Sequence, residues 1–396
     1  MPRLIQTVTV PTLLSRTLFG ARAIAWPAVG PLHLALEPLA GPPPRPDLRP
    51  LTLVLGGICA SDLHALTGES PRILWPLSSF PSVPGHEILA RTAEGQRVVV
   101  DPFIGCAVRG LEPCPECSRG QTALCRRAAE AGGGIARGMM LGFCRDLPGG
   151  WSDTLWAHPS QLHAVPDSLP DAAALLTEPL AVAMHALLQV PWNGSERVLV
   201  VGAGTIGLCV VAAMRMLDLP APLVAARHRH QAQAAAALGG HPVVAAGERW
   251  PRLGGATPVE GWLGRPLWLG GFDVVVDAVS SPATLGRAAA AVRAGGTLVR
   301  AGDVGTLPTR ARDAAWIPDV RLLGPFGYGL ERLLDGRSVH TFDLVLERSP
   351  ALAQPLTALV THTFPLAAYR EALAAAGGRR QQGSIKVAFR GPDRSS

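Results

Sequence analysis

The chain has 396 residues, of which 48% are apolar and 17% charged, with a formal net charge of +6. That length suits two domains better than one core, and the composition excludes a disordered or fibrous chain. The positive charge is almost all arginine, spread along the chain without a stripe of basic and aromatic residues, which argues against a nucleic-acid surface; no apolar run is long enough to span a bilayer. The first twenty residues, MPRLIQTVTVPTLLSRTLFG, are broken by Gln, Thr and Pro and lead to no secretory cleavage site, so a cytoplasmic location is expected. Seven cysteines, four of them between 105 and 125, suggest metal before disulfide in a reducing compartment.

Residues 21–175 are rich in Pro, Gly, His, Cys and Trp, with short strand-like runs such as RVVVDP, and read as a β-rich domain with long loops. PPPRP (42–46) is a stiff connector. The run LTLVL predicts a buried strand. Where it ends, LGGICASDLHALTG places Cys59, Ser61, Asp62 and His64 within six positions. A core needs none of these groups, and each costs free energy to bury without a partner. His86 and Glu87 follow in VPGHEILA, and Glu178 in LLTEPLAVAMHAL. Singly, these are a core cysteine, a satisfied histidine and a capping glutamate. Together, Cys59, His86, Glu87 and Glu178 offer the thiolate, imidazole and carboxylate of a catalytic zinc site with an open position. Cys106, Cys114, Cys117 and Cys125 offer four thiolates, enough to close a tetrahedral structural zinc site. A redox C-x-x-C or idle buried cysteines are the alternatives, but a redox pair has no need of two further cysteines beside it.

Residues 180–325 alternate short strands (RVLVVGAGTIG, APLVAARH, FDVVVDAVS, GGTLVRAG) with Ala-rich helical stretches (LCVVAAMRML, HQAQAAAALGG, TLGRAAAAVRAG). This pattern predicts a parallel sheet with helices on both faces. In the first unit, Gly202, Gly204 and Gly207, with Thr205 and Ile206 opening the helix, form the turn that receives a dinucleotide pyrophosphate at a helix N-terminus. The second strand ends at Ala226, where a chain binding NAD usually carries an acid for the ribose hydroxyl. Arg227 and Arg229 follow and suit a 2′-phosphate; two solvated arginines at a helix start are the plainer reading. NADP is therefore favoured over NAD. The chain then returns to mixed character and ends on the strand-like GSIKVAF.

GICASDLH, GHE, the four-cysteine lobe, EPLAVAMHA, GAGTIG and GSIKVAF occur in one order over about residues 21–390. In this the chain resembles the zinc-dependent medium-chain alcohol dehydrogenases, especially the polyol, sugar and threonine dehydrogenase branch. The resemblance implies an α/β protein in which a GroES-like β-rich catalytic domain (1–180, with a structural-zinc lobe at about 105–127) is split in sequence by a Rossmann doubly wound parallel-sheet domain (181–327) and completed by 328–396. It implies that Cys59 and His86 ligate the catalytic zinc, with Glu178 at the third ligand position and Glu87 beside the metal. Asp62 then orients His86, Ser61 holds the substrate hydroxyl, His64 passes the proton onward, and Lys386 approaches the cofactor phosphates. The implied reaction is hydride transfer between an alcohol or carbonyl and NADP (alternatively NAD), by a dimer or tetramer using one catalytic and one structural zinc ion and no nucleic acid or membrane partner. An NAD-linked threonine or amino-alcohol dehydrogenase is the nearest rival; a non-enzymatic zinc-stabilised dinucleotide-binding protein is a rival of another class. The chain departs from the family in the seven residues between Cys106 and Cys114, where two are usual, in a short segment between GHE and RVVVDP, and in residues 1–20, which precede the usual start. Cys144, Cys209, His158, His163 and His185 read as packing residues, and Trp75 and Phe80 as candidates to line a pocket.

Overall fold

The computed structural model describes residues 2–7, 32–35, 45–67, 72–244, 249–260, 266–302, 319–378 and 382–392. Most of the 1–20 segment and of the PPPRP connector lie outside them. The chain forms two compact units, Met1–Glu178 with Tyr328–Ser396, and Pro179–Gly327.

The first unit is built on a seven-stranded sheet. Its long strand Arg49–Ile58 has on one side Ile88–Arg91, then Arg97–Val100 and Leu162–Ala164, all antiparallel. On the other side it pairs antiparallel with Lys386–Arg390, the GSIKVAF strand, while its first residues pair with Thr154–Ala157. The last described strand therefore lies beside the strand that leads into Cys59. Leu51, Leu53, Ile88, Val98, Val100, Leu141 and Leu155 pack one core of this unit. Ile58, Leu66, Trp151, Tyr369 and Phe389 pack another, directly under the segment that bears Cys59.

The second unit is a six-stranded parallel sheet. The strand first in its sequence, Val198–Val201, lies between Leu223–Ala225 and Phe272–Asp277. His241–Val243 extends the sheet on one side, and Val292–Arg300 and Arg321–Leu323 on the other. In sequence order this is 3-2-1-4-5-6, the doubly wound arrangement of dinucleotide-binding folds. The strands are near-continuous apolar runs because both faces are covered. One element differs from the sequence reading. The helix Pro282–Ala291 stops before VRAG, and the strand begins at Val292, with a register shift against Phe272 and Val274. Gly295, at φ 67°, lies inside that irregularity and cannot continue a helix.

Candidate active site

The helix Ala60–Thr67 starts immediately after the long strand, and Asp62 sits in its first turn. Asp62 Oδ2 accepts from the Cys59 backbone N–H at 2.9 Å, the capping interaction that a third-position acid makes with the residue before a helix. Its other oxygen lies 3.2 Å from His86 Nδ1. A carboxylate can only accept, so His86 Nδ1 donates to it and Nε2 is the nitrogen turned away for a metal to take in place of a proton. One buried carboxylate thus places two metal-ligand candidates at once. Burial lowers the basicity of His86, but the charge and hydrogen bond of Asp62 outweigh it and hold the imidazole pKa well above its ordinary value. Ser61 Oγ is 3.5 Å from His86 Nε2, on the side opposite Asp62. His64, three residues further along the helix, shares the Ser61 face.

Ligand atoms of Cys59, His86 and Glu87 lie within 4.8 Å of one another; Glu178 stands outside that set. The two acids differ in their commitments. Both Glu87 oxygens accept from Lys386 Nζ at 2.6 Å, and Nζ also donates to the Ile58 carbonyl at 3.3 Å. Both side chains are buried, at 2% and 1% exposure. The strand residue Gly57 makes room for this pair, because a Cβ there would overlap Glu87 Oε2. The ammonium of Lys386, expected to approach the cofactor phosphates, is enclosed against Glu87. That pairing has no local sequence signal, since the partners are 299 residues apart. Glu178 opens the helix Thr177–Leu188, and its Oε1 accepts from Tyr328 Oη at 3.3 Å. Burial pushes its carboxyl up to about 7. Tyr328 was absent from the sequence reading for the same reason as the Lys386 pairing: it is 150 residues away from Glu178.

Ligand atoms of Cys106, Cys114, Cys117 and Cys125 also lie within 4.8 Å of one another, and none is in a disulfide. Sγ of Cys125 is 3.7 Å from that of Cys106 and 4.0 Å from that of Cys114. A tetrahedron of sulfurs about 2.3 Å from zinc has edges of about 3.8 Å, so the cluster fits the ion. The long gap after Cys106 does not remove that cysteine. It closes as a tight turn, with the Arg109 N–H donating to the Cys106 carbonyl at 3.0 Å, and the fully buried Arg109 side chain donates to the carbonyls of Ala128, Ala136 and Gly138.

In the second unit, Gly202 has φ 95° and Gly204 caps the helix Thr205–Met216, whose first turn holds no acid. A Cβ at Gly207 would overlap the Gly202 carbonyl oxygen, so glycine is needed where the helix crosses the turn. Ala226 is buried, Arg227 and Arg229 are exposed, and the next helix runs Arg229–Ala237. Asp277, missed in the sequence reading, ends the neighbouring strand fully buried; its Oδ1 accepts from the N–H groups of Val279 and Ser280. Cys144 and Cys209 are buried; His158 caps a short 3₁₀ turn, and His185 bonds Gln189. Trp75 and Phe80 are 51% and 37% exposed.

Residues 51–167 match the alcohol dehydrogenase GroES-like domain family. Over these residues the chain is similar to zinc-type alcohol dehydrogenases. A zinc-type alcohol dehydrogenase-like protein of Haemophilus influenzae is 34% identical over 40% of this chain and 43% of its own length. The L-galactonate-5-dehydrogenase of Escherichia coli is 34% identical over 39% of this chain and 42% of its own. The chain thus spans under half the length of these curated relatives. A zinc-binding dehydrogenase of Sinorhizobium meliloti, solved bound to NADP, shares the fold over 98% of this chain and 99% of its own, at TM-score 0.67 and 21% identity. Among the described residues no helix is long and apolar enough to cross a membrane. Cys59 with His86, held by Asp62, and the four-cysteine lobe are two of the groups whose ligand atoms lie close enough together for a metal ion.

Proposed function

We propose that the chain is a zinc-dependent oxidoreductase that transfers hydride between an alcohol or carbonyl and a nicotinamide dinucleotide, with NADP preferred to NAD. The substrate class we infer is a secondary alcohol, polyol or sugar, and the working form a cytoplasmic dimer or tetramer. The observation that carries this reading is Asp62, whose two oxygens hold Cys59 and His86 for a common purpose that packing alone does not require. Zinc held by Cys59, His86 and a carboxylate would supply the Lewis acidity that lowers an alcohol pKa, and the nicotinamide would supply the hydride acceptor. Glu178 is the carboxylate available for that role, because Glu87 is committed to Lys386 through both oxygens. A dication favours the ionised form of a carboxyl that burial otherwise holds up near 7. Ser61 Oγ, beside His86 Nε2, accepts a hydrogen bond from the substrate hydroxyl, and the ring of His64 receives the proton on its way to solvent. In the dinucleotide-binding unit, Gly202, Gly204 and Gly207 admit the pyrophosphate to the helix N-terminus, with Thr205 and Ile206 at the contact. Arg227 and Arg229 bind a 2′-phosphate, and buried Ala226 carries no charge to repel it.

The test is cofactor reduction over a panel of secondary alcohols, polyols, sugars and threonine with NADP⁺ and with NAD⁺, before and after chelation. Chelator-sensitive turnover preferring NADP⁺ is expected. Changing Arg227 and Arg229 together to alanine should raise KM for NADP⁺ about 10- to 100-fold, at about 1.5–3 kcal/mol for a charge-assisted hydrogen bond, and leave NAD⁺ nearly unaffected. Turnover preferring NAD⁺ would move the chain to the NAD-linked reading. Dinucleotide binding with no turnover on any substrate, in protein holding zinc, would support the non-enzymatic one.

A further inference from the structure

His163 reads from sequence as a packing residue. The structure brings it to Asp101 and His340, with ligand atoms of all three within 4.8 Å of one another. We propose that Asp101, His163 and His340 form a third metal site in the first unit, taking a divalent first-row cation of the zinc, cobalt or nickel kind, built from two imidazoles and one carboxylate. The site does not depend on the proposed oxidoreductase activity.

His163 carries the argument. It lies on the Leu162–Ala164 strand opposite Val99, and its Nδ1 is 2.7 Å from Asp343 Oδ1. The Asp343 carboxylate accepts this hydrogen bond. Nδ1 therefore bears the ring proton, and Nε2 is left with its lone pair. That Nε2 is buried without a hydrogen-bond partner, on a side chain 10% exposed. A carboxylate behind one nitrogen and a free lone pair on the other is how a metal-binding histidine is commonly oriented. Asp101, directly after the Arg97–Val100 strand, is buried and uses Oδ1 to accept from the Phe103 N–H at 2.9 Å. Its Oδ2 is turned to His340 Nε2 at 3.5 Å. The His163 and His340 rings stack at 4.6 Å, and Phe342 packs on both. Asp101 and Asp343 place two acidic side chains beside the two rings, a setting that suits a dication. The nitrogen-rich donor set selects against calcium and magnesium, which prefer oxygen.

His340 has a second duty that defines a cost. Its Nδ1 accepts from the Phe342 N–H at 3.2 Å and caps the helix Thr341–Arg348. In that state its proton is on Nε2. Metal coordination through Nε2 moves the proton to Nδ1, with no net release, and frees the Phe342 amide from the cap. A bound ion would tie the segment at 101–163 to the returning segment at 340–343.

The test is anomalous scattering at the zinc absorption edge from crystals of the full chain equilibrated with micromolar zinc, paired with zinc counts per chain in solution. A peak about 2.0–2.1 Å from His163 Nε2 is expected. H163F should hold one zinc fewer than wild type. H340N should also lose that ion while keeping the helix, because asparagine caps a helix well, so it serves if H163F fails to fold. D343N should weaken the site about 10- to 100-fold. No peak at His163, a peak at millimolar zinc only, or equal zinc counts in wild type and H340N would overturn the proposal.

Discussion

Lys386 is the chain's one lysine, and its ammonium is enclosed against Glu87 next to the proposed catalytic centre. Both charges are buried, so removing one partner leaves the other in the interior without this pairing. Lys386→Met is expected to destabilise the fold by about 3–5 kcal/mol, read from the shift in denaturant midpoint; a loss under about 1 kcal/mol would contradict the enclosure described here. Glu178 makes a pH prediction. Burial raises its carboxyl in the folded, metal-free chain to about 7 from an ordinary 4.5. Between these values the folded chain keeps a proton that the unfolded chain has lost, so stability falls as pH rises through that window and levels off above it. The chelated protein should therefore unfold more readily at pH 7 than at pH 5, and Glu178→Gln should remove much of that slope. An unchanged slope in Glu178→Gln would assign the dependence to other groups.

At the scale of the elements, the two turns proposed to carry function were legible for different reasons. The strand, Gly202, Gly204, Gly207 and the helix Thr205–Met216 are contiguous, and each glycine answers a local steric demand, so the motif was complete in the sequence. Gly207→Ala would set a methyl against the Gly202 carbonyl. It should cost about 1–3 kcal/mol of stability and weaken dinucleotide binding, measured by titration calorimetry; unchanged affinity would mean that the helix start does not meet the pyrophosphate. The Cys59–His64 turn was legible as a polar cluster at a strand end. The double use of Asp62, as a cap for the Cys59 N–H and a support for His86, needed the geometry. The cysteine lobe was legible by residue type, although its seven-residue first gap was unusual. The turn after Cys106 and the inward Arg109 show how the added length is absorbed.

For the whole molecule, alternating strands and helices between 180 and 325 made the parallel sheet legible, and the six motifs in order indicated the split catalytic domain. The partnerships that cross the chain were not legible. Lys386 with Glu87, Tyr328 with Glu178, and His340 with Asp101 each join the segment from 328 onward to one before 179. Such pairs follow from how the Lys386–Arg390 strand and its neighbours dock on the first unit, and sequence periodicity carries no record of that. The account's central claim is that Cys59 and His86, held by Asp62, make a zinc centre on which turnover depends. The most direct measurement is zinc content and alcohol-dependent cofactor reduction in Cys59→Ser beside wild type, with circular dichroism to confirm the fold. The account predicts one zinc ion fewer per chain, the cysteine-lobe zinc retained, and turnover lost. A folded Cys59→Ser protein with a full zinc complement and undiminished turnover would contradict it.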